Sequence, residues 1–279
     1  MAEYANQVLV EPEWLEEHLV DGSIRIVEVD ENPALYQEAH IPGAIGFDWK
    51  LELQDQIRRD FLGPEHFGAL FGSRGISNDH RIILYGDRSN WFAAYTYWYL
   101  KYYGHDDVKL LNGPRERWIS DGRRVTTVQP SFEPATFIAA SGDDTIRAKR
   151  EEIVAALRAA DVLVDVRSPQ EYSGAVVAMP GYENEGAQRG GHIPGAKSIP
   201  WAQAVNEDGT FKSADDLREL YGGAGVLGGE PIIAYCRIGE RSAHTWFVLH
   251  ELLGEHDVKN YDGAWTEWGN LVNVPIEKG

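Results

Sequence analysis

Two long stretches of this chain repeat one another. "ILYGDRSNWFAAYTYWYLKYYGHDDVKLLNGPRERW" lies without a gap on "IAYCRIGERSAHTWFVLHELLGEHDVKNYDGAWTEW" at a constant offset of 150 residues, pairing Tyr85 with Tyr235, Gly104 with Gly254, Gly113 with Gly263 and Trp118 with Trp268. Upstream of these, "IRIVEVDENPALYQEAHIPGAIGFDW" is answered by "DVLVDVRSPQEYSG" and "GGHIPGAKSIPW", between which the second copy carries the extra residues Ala175 to Arg189. His40-Ile41-Pro42-Gly43-Ala44 thus recurs as His192-Ile193-Pro194-Gly195-Ala196. Two motifs repeated in the same order mean two homologous domains, and 279 residues are enough for both. The Pro-, Ser- and Thr-rich "RRVTTVQPSFEPATFIAASGDD" lacks helical periodicity, so the expected division is a domain over 1–125, a linker over 126–144 and a domain over 145–279.

Within each copy short β-branched runs (Ile24 to Val29, Ile82 to Tyr85; Val162 to Val166, Ile232 to Tyr235) alternate with helix-like stretches such as "SADDLRELYGGAG", which Ser213 caps. Strands of about five residues that are apolar on both faces, separated by helices, predict an α/β class, each domain a mostly parallel sheet flanked by helices. The aromatic stretch Asn90 to Gly104 looks like a base-stacking platform. Its helical spacing and its alignment with a core helix of the other copy make it packing instead, with Trp98 and Tyr95 expected at the domain interface.

A formal charge of −18 argues against nucleic acid or an anionic membrane as a general partner, since phosphate would be repelled. No apolar stretch is long enough to span a bilayer, and the start lacks a signal-peptide pattern. A single cysteine makes no internal disulfide, and no Cys/His cluster has zinc spacing, which together fit a reducing, cytoplasmic setting and no metal.

That cysteine, Cys236, directly follows an apolar strand and precedes a periodic stretch from Ser242 to Leu253, which places it in a strand-to-helix loop. Ligands of open α/β sheets gather at the carboxyl ends of the strands. With Gly239 permitting tight curvature, the loop can turn its N–H groups inward as an anion nest, and Arg237 and Arg241 add charge-assisted donors. The same field is expected to lower the thiol pKa and give a thiolate near neutral pH. The loop therefore offers a nucleophile beside an oxyanion seat, and the substrate should be a small anion with an electrophilic centre.

"CRIGERS", the paired "GHIPGA" motifs and "YDGAWTEW" closely resemble tandem-domain rhodaneses, above all the actinobacterial thiosulfate sulfurtransferases, over nearly the whole chain. The resemblance implies two rhodanese-like domains, the second catalytic and the first inactive. In agreement, the position aligned with Cys236 is Gly86. It further implies that Cys236 takes the sulfane sulfur of thiosulfate as a persulfide and passes it to cyanide or a thiol, without a cofactor. Arg237, Ile238, Gly239, Glu240, Arg241 and Ser242 would then bind the donor.

Related mercaptopyruvate sulfurtransferases carry Cys-Gly-Ser-Gly-Val-Thr in this loop, so its charged residues here favour thiosulfate over 3-mercaptopyruvate. Phosphatases on the same fold use Cys-x5-Arg, whereas Arg241 stands at Cys-x4-Arg. The alternatives are a sulfurtransferase with another donor such as 3-mercaptopyruvate, a phosphatase or arsenate reductase on the same fold, and, from a different class, a sulfur carrier or regulatory module without turnover. Vertebrate mitochondrial rhodaneses hold the donor with an arginine just ahead of Tyr-x-Gly, and the matching residue here, before Tyr172-Ser173-Gly174, is Glu171. Arg189, in the extra segment, is the candidate replacement. Glu240 beside a dianion site is unfavourable unless it points outward or pairs with an arginine. His40, His192, Glu28, Asp165 and Arg167 read as structural, Trp265 and Trp268 as core or domain-interface residues with the pocket mouth as the alternative for Trp265, and His244 as unneeded by a preformed thiolate.

Overall fold

The computed structural model of the chain describes residues 3–179 and 181–279. It forms two compact units, one of residues 8–143 and 205–211, the other of residues 144–204 and 212–279 with the chain start up to Gln7.

The first unit is built on five strands: β1 (Leu9–Val10), β2 (Ile24–Glu28), β3 (Ile45–Gly46), β4 (Arg81–Tyr85) and β5 (Val108–Leu111). They lie in the order β1-β5-β4-β2-β3 with every pairing parallel. The second unit repeats this with β6 (Arg147–Ala148), β7 (Val162–Asp165), β8 (Lys197–Ser198), β9 (Ile232–Tyr235) and β10 (Val258–Tyr261), in the order β6-β10-β9-β7-β8. These are the mostly parallel, helix-flanked sheets that the alternation of apolar runs predicts. The central strands β4 and β9 are buried almost throughout because helices cover both faces.

The repeated "HIPGA" segments are held by the last residue of each central strand. The Ile41 N–H donates to Tyr85 Oη at 2.9 Å, and the Ile193 N–H to Tyr235 Oη at 3.0 Å. His40 stacks on Tyr36 with ring centroids 4.0 Å apart, and His192 on Tyr172 at 3.6 Å. One solution thus serves both copies, which is why the motif recurs.

The helix Trp91–Tyr102 is buried at every residue except Lys101. Trp98 and Tyr95 lie within an aromatic cluster that includes Phe61, Tyr99 and Tyr102. Full burial of such rings contributes roughly 1.5–3 kcal/mol each. Residues 126–143 pack onto this unit, with Phe137 buried against Phe67 and Phe71. Gly68 and Gly72 allow that close approach, since a Cβ on either would stand 2.5 Å from a carbonyl oxygen of Phe137 or Ala135.

Candidate active site

Cys236 is the first residue beyond β9, and the helix Glu240–Trp246 begins four residues later, continued by a π-helical stretch over Phe247–Leu252. Gly239 turns the chain with a φ of 104°, a left-handed conformation that glycine adopts without strain. The loop is pinned from the next strand and the turn after it. Asn260 Nδ2 donates to the Gly239 carbonyl at 3.0 Å, the Trp265 N–H to the Cys236 carbonyl at 3.0 Å, and the Thr266 N–H to the Arg237 carbonyl at 3.1 Å.

The cysteine side chain is wholly buried. Its Sγ accepts from the Gly239 N–H at 3.2 Å, and its thiol donates to Glu240 Oε2 at 3.1 Å. Glu240 folds back over the loop: Oε2 also takes the Ile238 N–H at 3.3 Å, and Oε1 takes Arg237 Nη2 at 3.2 Å. The inward, paired orientation settles the direction of Glu240. Arg237 is further engaged by Glu185, 2.9 Å from Nη1, and lies 3.8 Å over the Tyr182 ring. Arg241 forks onto Glu171 at 2.9 and 3.0 Å. Two guanidinium groups thus face three carboxylates, from Glu171, Glu185 and Glu240.

This changes one expectation. Burial pushes the Cys236 thiol up, the Glu240 charge adds to that, and Arg241 and Ser242 offset only part of it. This balance favours a resting thiol over the expected thiolate, because burial and the Glu240 carboxylate outweigh what the loop offers to the charged form. Burial would also raise Glu240, but Arg237 and Arg241 outweigh it and keep this carboxyl below its usual range. The same balance holds Glu171 at about 2, with burial opposed by the Arg241 hydrogen bonds and charge.

Of the other expected residues, Ile238 contributes its N–H, and Ser242 is buried with its side chain toward Cys236. Arg189 is a correction. Its guanidinium donates to the carbonyls of Gly269, Val274, Trp268 and Leu271 at 2.9–3.2 Å, so it ties down the turn after Trp268 and does not stand in for the missing arginine. Glu171 and Glu185 were not expected as partners of the loop arginines. Ser168-Pro169-Gln170-Glu171 is a capping-box sequence, and the box forms, which was the legible signal that Glu171 is held near the carboxyl ends of the strands. Glu185 and Tyr182 lie in the extra segment, for which the first copy offers no template.

The equivalent place in the first unit is closed. A Cβ on Gly86 would stand 2.1 Å from the Val29 carbonyl oxygen. Asn90, at the position of Glu240, folds into the loop in its turn, accepting the Gly86 N–H at 2.9 Å and donating to Leu111 and Gly113. Beneath the two loops the buried charges are exchanged. In the second unit Arg167 pairs with Asp165 at 2.6 Å and lies 4.5 Å over Trp265. In the first, Arg115 stands at the position of Trp265 and pairs with Glu28 at 3.1 Å, while Asp30 stands at the position of Arg167.

The rhodanese-like domain model matches residues 11–121 and again residues 149–271. The chain belongs to the rhodanese-like family. A relative from the actinobacterium Saccharopolyspora erythraea, provisionally named a thiosulfate sulfurtransferase, is 54% identical over 97% of this chain and 96% of its own. The sulfur carrier protein TtuD of Thermus thermophilus is 53% identical over 98% of this chain and 97% of its own. The solved structure of SseA from Escherichia coli, described as a 3-mercaptopyruvate sulfotransferase, matches with a TM-score of 0.78 at 26% identity, covering 92% of this chain and 98% of that one. The two sheets are thus two rhodanese domains, and the chain is a sulfurtransferase-family protein. Among the described residues no group of three or more His, Cys, Asp or Glu side chains is placed to hold a metal ion, and no helix is long and apolar enough to cross a membrane.

Proposed function

We propose that the protein is a thiosulfate sulfurtransferase that carries sulfur on Cys236. The supporting observation is the placement of the only cysteine at the carboxyl end of the central strand β9, with a loop N–H on its Sγ and the guanidinium groups of Arg237 and Arg241 beside it. The Cys236 thiolate attacks the sulfane sulfur of thiosulfate, the donor S–S bond breaks, and sulfite leaves with the electron pair. Arg237, Arg241 and the loop amides would hold the charge that develops on sulfite. Cyanide or a thiol then takes the outer sulfur and regenerates the cysteine. The first unit, lacking room for a side chain at Gly86, serves as a structural partner.

A second reading has its own support. Both loop arginines are already paired with carboxylates, which leaves less positive charge for a dianion than the sequence promised, and TtuD is named as a sulfur carrier. A carrier would load sulfur once and release it only to a partner protein. Thiocyanate formation with thiosulfate and, in parallel, with 3-mercaptopyruvate tests the choice. Multiple turnovers with thiosulfate as the better donor support the enzyme. A single loading event supports the carrier, and faster turnover of 3-mercaptopyruvate removes thiosulfate as the donor. The single cysteine is in keeping with a reducing, cytoplasmic setting.

A further inference from the structure

The reactive thiol is out of reach of bulk water, so its proton must pass to a neighbouring group before sulfur can be attacked. Glu240 is fully buried, its Oε2 lies 3.1 Å from Cys236 Sγ and accepts the thiol hydrogen, and its Oε1 holds Arg237. The other charged groups facing the pair are Arg237 and Arg241 from the same loop, Glu171 behind Arg241 from the first loop of the unit, and Glu185 behind Arg237 from the extra segment. Glu171 and Glu185 each bind an arginine and neither contacts the sulfur. His244, on the same helix, packs edge-on against the Trp201 ring with centroids 5.2 Å apart.

We propose that Glu240 is the proton acceptor for the Cys236 thiol, and that this one transfer also loosens Arg237 from Glu240 so that it can hold the leaving oxyanion. The proposal rests on the sulfurtransferase reading and deepens it. In the first half-reaction the proton moves from Cys236 Sγ to the Glu240 carboxylate. The thiolate forms a bond to the sulfane sulfur, the donor S–S bond breaks, and sulfite leaves with its electron pair. The proton held by Glu240 then passes to the outer sulfur, giving Cys236–S–SH and restoring the carboxylate. When an acceptor removes the outer sulfur, the same proton returns through Glu240 to Cys236. No oxidant or reductant is consumed, because the sulfur moves at constant oxidation state.

A neutral Glu240 leaves Arg237 with Glu185 alone, so nucleophile and oxyanion seat are made together. The first unit carries Asn90 at this position, folded inward in the same way but unable to take a proton. An inward side chain here serves the loop in both copies, and the carboxylate appears only beside the cysteine.

The test is the rate of Cys236 persulfide formation from thiosulfate in a single turnover, followed by intact mass, and in parallel the alkylation of Cys236 by neutral iodoacetamide, both between pH 6 and pH 8. A thiol and carboxylate sharing one proton keep a constant fraction of the reactive form between their two titrations, so both wild-type rates should be flat across this range. Glu240→Gln should slow loading about 100-fold at pH 6 and recover roughly tenfold per pH unit, with Glu240→Asp partly restoring the flat profile. Wild-type rates that climb tenfold per unit would overturn the proposal without any variant. So would a Glu240→Gln protein that loads as fast as wild type at pH 6, because the carboxylate would then only suppress the thiolate. If thiosulfate loads no form of the protein while the alkylation profiles behave as described, the donor assignment fails and the proton assignment stands.

Discussion

Arg241 grips Glu171 with two hydrogen bonds, Nη1 to Oε2 at 2.9 Å and Nη2 to Oε1 at 3.0 Å, across 70 residues of sequence. The pair links the loop after β9 to the loop after β7. The resemblance to vertebrate rhodaneses implies a donor-binding arginine at this position, and Glu171 here instead holds an arginine next to the Cys236 loop.

Removing one side of a buried pair leaves the other charge uncompensated, and Glu171→Ala should cost about 3–5 kcal/mol at pH 7. Because the folded protein holds this carboxyl near 2, below its ordinary 4.5, the contribution is complete above pH 4.5 and disappears as the pH falls toward 2. Urea unfolding of wild type and variant at pH 7 and at pH 3.5 checks both claims. A difference that does not shrink in acid would mean the loss is one of packing.

Asp30 makes the opposite prediction. Burial, and then the charge of Glu28, push its carboxyl far above the carboxylate range, so the fold favours the neutral acid. Its share of stability is present below its unfolded value of 3.8 and is lost progressively as pH rises. Asp30→Asn should keep the acceptor for the Asp87 N–H, now 2.8 Å from Oδ1, and stabilise the protein at pH 8 by about 1–3 kcal/mol, with little gain at pH 4. A variant less stable than wild type at pH 8 would contradict this.

The first copy cannot be converted by restoring its nucleophile. Gly86→Cys sets a Cβ against the Val29 carbonyl and should destabilise the first unit by about 1–3 kcal/mol without adding a second alkylatable, sulfur-loading site. Intact mass after thiosulfate treatment of the variant reads this directly, since two added sulfurs would show that the pocket opens.

Arg189→Ala should loosen the turn of residues 268–274, whose carbonyls it binds, and raise amide exchange there, while the KM for thiosulfate of the folded variant stays at the wild-type value. A several-fold rise in KM with unchanged exchange would return Arg189 to the donor site.

The repeat made the fold legible. The apolar strand runs named from the sequence had counterparts in the other copy, and the two sheets share one strand order. Cys236 and its loop could be read from their place after β9 because parallel sheets put loops of that kind at one end. The electrostatics could not. A nest and two arginines argue for a thiolate, but the sign turned on complete burial and on the inward rotamer of Glu240, while the partners that occupy the arginines, Glu171 and Glu185, approach from distant parts of the sequence. Arg189 was misjudged for a related reason, since an arginine in an unmatched insertion looks free until the carbonyls around it are known.

The most direct test of the account is the intact mass of the protein after brief exposure to thiosulfate and again after addition of cyanide, for wild type and Cys236→Ser. The account predicts a gain of one sulfur atom on wild type, mapped to the peptide containing Cys236, lost on cyanide with an equal amount of thiocyanate, and no gain on the variant. Sulfur loading in the Cys236→Ser protein, or thiocyanate release without any persulfide on Cys236, would contradict it.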